Sequence, residues 1–241
     1  MVDMRDVLQD NRPLVVGAIG DPSVLEETIG PDQCDLIELR LDVLGTGSAV
    51  RSFAERQSPA FPLLLTARHP AEGGHHDLDE QARLGALGVL FDHAAALDLE
   101  LRTLAGHPEI WDEAGRRGVL RIASRHDFER CPEFEELRES VAAMREAGAD
   151  VAKLAFRIEQ PADLQMIVRL LREGGPGRLA VMGMGPLAPA SRLLAAQYGS
   201  LLNYGYLGSG STAPGQWPAR LQALGVLFDH AAALDLELRT L

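Results

Sequence analysis

The sequence predicts an α/β protein of the (β/α)8 barrel (TIM barrel) class, folded as a single domain. Three observations favour this class: a length of 241 residues, a composition that is 46% apolar, and short apolar runs that alternate with longer amphipathic segments. Such alternation is typical of parallel strands that are covered by helices. A doubly wound open sheet is the alternative that the same pattern allows.

Eight apolar runs have the length of strands. They are apolar along most of their length, as parallel strands buried on both faces are. In chain order they cover residues 14–20, 35–42, 62–68, 97–103, 119–126, 151–156, 178–185 and 201–208.

Two stretches between these runs have clear helical signals, residues 132–148 and 160–175. In the first, Phe134, Leu137 and Val141 recur at the spacing of one helix face. In the second, a proline lies near the first turn and glycines end the stretch, which is the usual asymmetry of helix ends.

A long repeat interrupts the pattern. Residues 82–104 return as residues 219–241 with one difference, Gly85 against Gln222. The first copy supplies a helix and the fourth strand. Because eight strands fill the barrel, the strand part of the second copy is surplus. We therefore predict a barrel domain over 1–220, and in 221–241 a repeat of 84–104 that completes the last helix and then forms a non-native or frayed tail.

The overall charge and the ends of the chain exclude some classes of protein. A formal net charge of -12 argues against a nucleic-acid binder, which needs a basic face. The apolar runs are too short to span a membrane. The first 13 residues lack the apolar core of a signal peptide, and Cys34 and Cys131 form no CxxC motif. These features favour a cytoplasmic protein with reduced cysteines.

One lysine points to a particular chemistry. Lys153 is the single lysine among 23 basic residues, and it lies in the apolar run ADVAKLAF. Buried lysines seldom lack a role, and an amine can form an imine with a carbonyl substrate, whereas arginine cannot. We expect burial and the nearby Arg68 and Arg192 to lower its pKa. His126, in the strand end SRHDF, is the candidate to move a proton beside the imine.

Other polar residues fall at the carboxyl ends of strands, where barrel active sites lie. Glu38, Arg40 and Asp42 alternate along the second strand, so period-two spacing puts them on one strand face. A structural ion-pair network under the site is the alternative reading. Arg68 and Glu72 follow the third strand in TARHPAEGG, where a plain surface loop is the alternative.

The last two strands are followed by further candidates. Ser191 and Arg192 lie at the start of a helix, a position suited to an anion. The segment GSGSTAPGQ, residues 208–216, has the glycines and serines of a lid, although an ordinary loop has them too. Met182 and Met184 are expected to pack against neighbouring side chains.

Taken in order, these motifs resemble the type I 3-dehydroquinate dehydratase family of the shikimate pathway, which leads to chorismate and the aromatic amino acids. The resemblance covers about residues 13–220. The matching stretches are ELRLD (38–42), TARHPAEGG (66–74), SRHDF (124–128), ADVAKLAF (149–156), MGMGPLAPASR (182–192), YGSLLNYGYL (198–207) and TAPGQ (212–216). It implies a (β/α)8 barrel, usually a homodimer, without metal or cofactor, whose small-molecule substrate 3-dehydroquinate is dehydrated to 3-dehydroshikimate.

The resemblance also implies residue roles. Lys153 matches the imine lysine, His126 the general acid and base, and Glu72 the acid that orients the histidine. Arg192 matches the clamp on the substrate carboxylate. Glu38, Arg40 and Arg68 match the polar floor that holds the ring hydroxyls. Met182, Met184 and Tyr204 match the apolar wall. Thr212 and Gln216 match the lid.

Two other functions remain open at this point. A dehydratase-like barrel that only senses quinate-type ligands would need neither Lys153 nor His126. Another lysine-imine barrel, such as an aldolase-type lyase, is not expected to carry the SRHDF and TAPGQ motifs. Turnover separates the enzyme from the sensor, and the carbonyl compound that is accepted separates the two lyases.

Overall fold

The computed structural model describes residues 4, 8, 12–75, 78–174, 178–208 and 217–219. Within these ranges the chain alternates strands and helices, as the sequence predicts. The strands are β1 Leu14–Ile19, β2 Leu36–Arg40, β3 Leu63–Thr66, β4 Ala96–Glu100, β5 Leu120–Asp127, β6 Val151–Arg157, β7 Leu179–Met184, β8 Leu202–Tyr206 and β9 Trp217–Pro218.

Eight α-helical segments connect the strands in the described part of the chain. They are α1 Leu41–Leu44, α2 Ser48–Gln57, α3 Glu80–Val89, α4 Leu101–Leu104, α5 Pro108–Arg116, α6 Phe134–Glu146, α7 Pro161–Glu173 and α8 Ala188–Gln197. The two stretches with clear helical signals thus form α6 and α7. At the start of α7, Gln160 and Asp163 form a capping box that satisfies backbone N–H groups of the first turn.

The first eight strands form a nearly closed parallel barrel, which confirms the predicted (β/α)8 class over the doubly wound sheet. Each strand from β1 to β6 pairs in parallel with the next one, and β8 returns to pair with β1. Between β7 and β8 the backbone N–H of Leu201 donates to the carbonyl of Leu179 at 2.9 Å. The backbone N–H of Val181 also donates to the Ser200 hydroxyl at 3.0 Å. These two bonds join the last strands at their amino-terminal ends.

Alternating side chains of the strands divide between two apolar cores. One core fills the barrel and includes Leu14, Val16, Leu36, Leu64 and Ile122. The other, larger core lies between the sheet and the helices. Because successive strand residues point to opposite faces, both cores form from the same apolar runs. The barrel core supports the polar mouth from below.

Several predicted strands end one to three residues earlier than the sequence pattern indicates, and after the second and the fourth a helical turn follows directly. The second is expected to reach residue 42 but ends at Arg40, and Asp42 lies in the helical turn α1. The prediction that Asp42 shares a strand face with Glu38 and Arg40 is therefore wrong. Asp42 is held in the turn because its carboxylate accepts the backbone N–H groups of Arg68 and His75, as well as the Arg40 guanidinium.

The fourth strand likewise ends at Glu100, and residues 101–104 form the helical turn α4. The Thr103 hydroxyl donates back to the Glu100 carboxylate at 3.2 Å, a bond that the turn makes possible.

A ninth strand, β9, was not predicted. It pairs in parallel with β8 at Gly205 and Tyr206, on the edge of β8 that is opposite to β1. The repeat at 219–241 lies outside the described residues except for Ala219, and the predicted tail is therefore untested.

Over the ranges that the structure describes, no helix combines the length and the apolar character that crossing a membrane requires.

Candidate active site

A pocket opens at the carboxyl ends of the barrel strands, where the sequence places the candidate residues. It brings together ten of the twelve predicted site residues, and also Gly73, Phe128 and Ala155. The ten are Glu38, Arg40, Arg68, Glu72, His126, Lys153, Met182, Met184, Arg192 and Tyr204. The other two, Thr212 and Gln216, lie outside the described residues.

Lys153 lies in the wall of this pocket on β6. Its side chain is almost fully buried, and its Nζ donates to Asp98 Oδ2 at 2.8 Å. The same Nζ lies 4.0 Å from the centre of the Tyr204 ring, a cation–π distance. Lys153 pairs in register with Ser124 on β5, so His126, two residues further along β5, faces the same side of the sheet.

Burial lowers the pKa of Lys153, and the charge of Arg68 lowers it further. The carboxylates of Asp98 and Glu38 oppose this effect. The predicted direction agrees with the structure, as does the role of Arg68. Arg192, which was expected to contribute, is not among the largest causes of the pKa shift. The carboxylate of Asp98 is an additional partner that the sequence argument overlooked.

His126 and Glu72 form a hydrogen-bonded pair. Glu72 Oε2 lies 3.0 Å from His126 Nδ1 and also accepts the backbone N–H of His126 at 2.9 Å. When Glu72 is ionised its oxygen can only accept, and Nδ1 then carries the hydrogen in this pair. The other ring nitrogen, Nε2, then has its lone pair available as a base.

The turn that carries Glu72 is fixed by the neighbouring motif. Glu72 ends a short 3-10 helix, Pro70–Glu72, and Gly73 follows in the left-handed region with φ 81°. A Cβ at Gly73 would lie 2.4 Å from the Phe128 ring, which is closer than any side chain tolerates. The glycine of TARHPAEGG and the phenylalanine of SRHDF therefore bring Glu72 and His126 together.

Burial also moves the pKa values of this pair. It lowers the pKa of His126 well below its ordinary value, and the nearby cations Arg68 and Lys153 lower it further. It raises the pKa of Glu72 to about 7, against the opposing charge of Arg68. The histidine is therefore neutral at neutral pH, which is the form that can accept a proton.

The charged residues that come from β2, β3 and β4 are paired with one another. Arg40 forms a two-pronged ion pair with Asp42, with distances of 2.9 and 2.8 Å. Glu38 accepts the Thr66 hydroxyl at 2.8 Å. The structure thus gives Glu38 and Arg40 protein partners as well as a place in the pocket wall, which fits the alternative of an ion-pair network under the site.

Arg68 has the most partners of these residues. Its Nη1 lies 2.9 Å from Asp98 Oδ1, 2.9 Å from Glu100 Oε1 and 2.7 Å from Ser124 Oγ. Sequence reasoning missed Asp98 and Glu100. The signal was present in the run LDLELRT, where carboxylates alternate with leucines as charges do in the second strand.

The opposite wall, from β7 and β8, is apolar except for one arginine. Met182, Met184 and Tyr204 are buried there, as expected of an apolar wall. The guanidinium of Arg192, from α8, donates to the Tyr204 carbonyl at 3.2 Å and lies 3.7 Å from the Met182 sulfur. Among the described residues no carboxylate forms an ion pair with Arg192.

A serine and a glycine position the start of α8. Ser191 Oγ accepts the Gly183 N–H at 3.0 Å and donates to the Ala188 carbonyl at 2.7 Å. A Cβ at Gly183 would meet Ile158 Cδ1 at 2.2 Å. The glycine therefore serves close packing between β7 and its surroundings, and Ser191 acts within the protein rather than towards the pocket.

The fold and this site define a class of protein: a parallel (β/α)8 barrel whose mouth holds a buried lysine beside a histidine–carboxylate pair. Residues 23–228 match the sequence profile of the type I 3-dehydroquinase family. Because the match covers most of the chain, the chain belongs to this family, and the resemblance stated from its motifs is confirmed. It is accordingly an enzyme of the hydro-lyase class.

Relatives and solved structures agree with the family. A 3-dehydroquinate dehydratase from Methanococcoides burtonii is 30% identical over 86% of this chain and 90% of its own length. One from Methanosarcina barkeri is 34% identical over 76% and 80%. The crystal structure of a type I 3-dehydroquinate dehydratase from Clostridium difficile covers 92% of this chain and 94% of its own, with a TM-score of 0.78 at 23% identity. That structural likeness supports the fold.

Proposed function

We propose that this chain dehydrates 3-dehydroquinate to 3-dehydroshikimate through an imine on Lys153, with His126 as general acid and base. The observation that carries the proposal is the position of the only lysine. It is buried at the barrel mouth, and its Nζ lies between the Asp98 carboxylate and the Tyr204 ring. A lysine in that environment can lose its proton and attack a carbonyl carbon.

In the first step the neutral amine of Lys153 attacks the C3 carbonyl of the substrate, and loss of water gives the imine. Burial favours the neutral amine, since it lowers the pKa of Lys153. Asp98 holds the nitrogen in place, and its charge stabilises the iminium that follows.

In the second step His126 takes a proton from C2. The hydrogen bond from Nδ1 to Glu72 orients the ring and leaves Nε2 to accept this proton. The imine acts as an electron sink, so breaking the C2–H bond gives an enamine. His126 then returns the proton to the C1 hydroxyl, which leaves as water. Hydrolysis of the imine releases the product and restores Lys153.

Arg192 is suited to bind the substrate carboxylate. Burial alone lowers its pKa to about 10, so its guanidinium stays charged at neutral pH. A buried cation without a carboxylate partner among the described residues is stabilised when an anion binds beside it. A carboxylate on the substrate would supply that anion.

The remaining roles follow the resemblance. Glu38, Arg40 and Arg68 would form the polar floor for ring hydroxyls, and Met182, Met184 and Tyr204 the apolar wall. Thr212 and Gln216 would contribute a lid contact. We also propose a homodimer, which sedimentation would test directly.

Trapping of the imine tests the proposal. The protein is incubated with 3-dehydroquinate, reduced with borohydride and measured by intact mass and peptide mapping. We expect one adduct on the peptide that contains Lys153, because the only other candidate amine is the N-terminus. Lys153→Met treated in the same way is the matched control and should stay unmodified there. A folded protein that turns over substrate without a Lys153 adduct would refute the imine mechanism.

A further inference from the structure

Arg83 lies outside the pocket wall yet is joined to Lys153 by a chain of side chains. It belongs to α3, which packs outside the barrel, and it is fully buried. Its Nη1 donates to the Ala67 carbonyl at 2.6 Å and to Glu100 Oε2 at 2.9 Å, and its Nη2 donates to Thr103 Oγ1 at 2.8 Å. A buried arginine with this many fixed partners is held in one position.

The chain alternates in charge from Arg83 to the lysine. Glu100 accepts a hydrogen bond from Arg83 on Oε2 and one from Arg68 on Oε1, each at 2.9 Å. Arg68 reaches Asp98 at 2.9 Å, and Asp98 receives Lys153 at 2.8 Å. All five side chains are almost fully buried. Solvent therefore screens these interactions weakly, and a change at one end is felt at the other.

At Arg68, the carboxylates of Asp98 and Glu100 compete for the same nitrogen, Nη1. Arg68 Nη1 lies 2.9 Å from both Asp98 Oδ1 and Glu100 Oε1. When Glu100 attracts this nitrogen more strongly, Asp98 retains more of its negative charge for Lys153. Arg83 occupies the second oxygen of Glu100 and so limits how strongly Glu100 attracts Arg68.

We propose that Arg83 is a positioning residue, which sets the electrostatic environment of Lys153 through Glu100, Arg68 and Asp98. The inference rests on the proposed function only for what Lys153 does in turnover. The groups that face Lys153 come from five strands or their ends: Glu38 from β2, Arg68 after β3, Asp98 from β4, His126 from β5 and Tyr204 from β8. In the described part of the chain, side-chain hydrogen bonds connect Arg83 to this set through Glu100, Arg68 and Asp98.

The sign of the effect follows from the charges. Loss of Arg83 removes a cation and frees Glu100 to draw Arg68 from Asp98, and both changes favour the protonated amine of Lys153. Loss of the Glu100 charge acts in the opposite direction, since Arg68 then turns fully to Asp98. Removing both charges together should leave Lys153 close to its original state.

Labelling of the only lysine measures this effect without substrate. The full-length protein is reductively methylated with formaldehyde and cyanoborohydride across a pH series, and the rate of modification of Lys153 is read by peptide mass. In Arg83→Met we expect the midpoint of the labelling curve to rise by roughly half to one pH unit. Glu100→Gln should lower it, and the double variant should return it to the wild-type value. Arg83→Lys, which keeps the charge, should keep the midpoint of Lys153 labelling close to the wild-type value.

The matched control is Glu80→Gln, because Glu80 is a partly exposed partner of Arg83 and, among the described residues, makes no hydrogen bond or ion pair with Glu100, Arg68, Asp98 or Lys153. Its labelling midpoint should not move. A folded Arg83→Met with the wild-type midpoint overturns the proposal, and so does a double variant that stays shifted. If Arg83→Met fails to fold, the shifts of Glu100→Gln and the double variant decide in the same way. Failure of the imine chemistry would appear in the borohydride experiment and leave these midpoints unaffected.

Discussion

The two walls of the barrel mouth differ in the partners of their arginines. On the β2–β4 wall, Arg40 and Arg68 are both bound to buried carboxylates of the protein. On the β7–β8 wall, Arg192 is surrounded by Met182 and Tyr204, with no carboxylate partner among the described residues. Arginines of the first kind stabilise the site itself, whereas an arginine of the second kind is available to a ligand.

Lys153 lies where the two walls meet, with Asp98 from one and the Tyr204 ring from the other. Lys153→Met should therefore produce the largest effect, a loss of turnover of roughly 10⁴-fold or more, because no other side chain can form the imine. The measurement is steady-state product formation. Lys153→Arg keeps a cation beside Asp98 and should be equally inactive. Substantial activity in either folded variant would contradict the assigned role.

Arg68→Met should mainly destabilise the fold. It leaves Asp98 and Glu100 as buried carboxylates without their shared partner, which costs about 3–5 kcal/mol. Urea unfolding of the variant and the wild type measures the difference in free energy. A loss below about 1 kcal/mol would show that the ion pairs on the β2–β4 wall contribute little to stability.

Arg192→Met should affect binding rather than stability. We expect KM for 3-dehydroquinate to rise about 100-fold, since the substrate carboxylate loses a charged partner in a buried site. The free energy of unfolding should stay the same or increase, because the variant removes a buried cation that has no carboxylate partner among the described residues. Kinetics and urea unfolding on the same preparation check both parts. A strongly destabilised Arg192→Met would remove the contrast between the two walls.

Glu72 gives a graded effect, a pH dependence of stability. Its folded pKa is raised to about 7 from an ordinary value of 4.5, so the fold prefers the protonated carboxyl. The stability that protonated Glu72 contributes is complete below pH 4.5 and is lost as pH rises through about 7, to a limit of about 3 kcal/mol. The stability difference between wild type and Glu72→Gln, measured across this range, should therefore fall with rising pH. A difference that grows with pH would mean that the pKa of Glu72 is lowered.

Ten of the residues that the motifs predicted line one pocket, because strand periodicity and barrel geometry bring strand ends together. Residues as far apart in sequence as Glu38 and Tyr204 line one pocket for that reason. Strand ends were predicted less well. Asp42 continues the alternation of charged residues in β2, but hydrogen bonds from two distant backbone N–H groups hold it in a turn.

The sequence alone predicted the barrel class, the family and the candidate residues of the site, because each depends on local patterning or on motifs in order. Only the tertiary structure decided which charges balance one another. Asp98 lies 55 positions from Lys153, and Arg68 is shared between Asp98 and Glu100. Such pairings depend on distances of a few ångströms across neighbouring strands, which composition and spacing do not encode. Arg68 and Arg192 are both arginines near strand ends, and only these distances show that Arg68 is paired with carboxylates and that Arg192 instead donates to a backbone carbonyl.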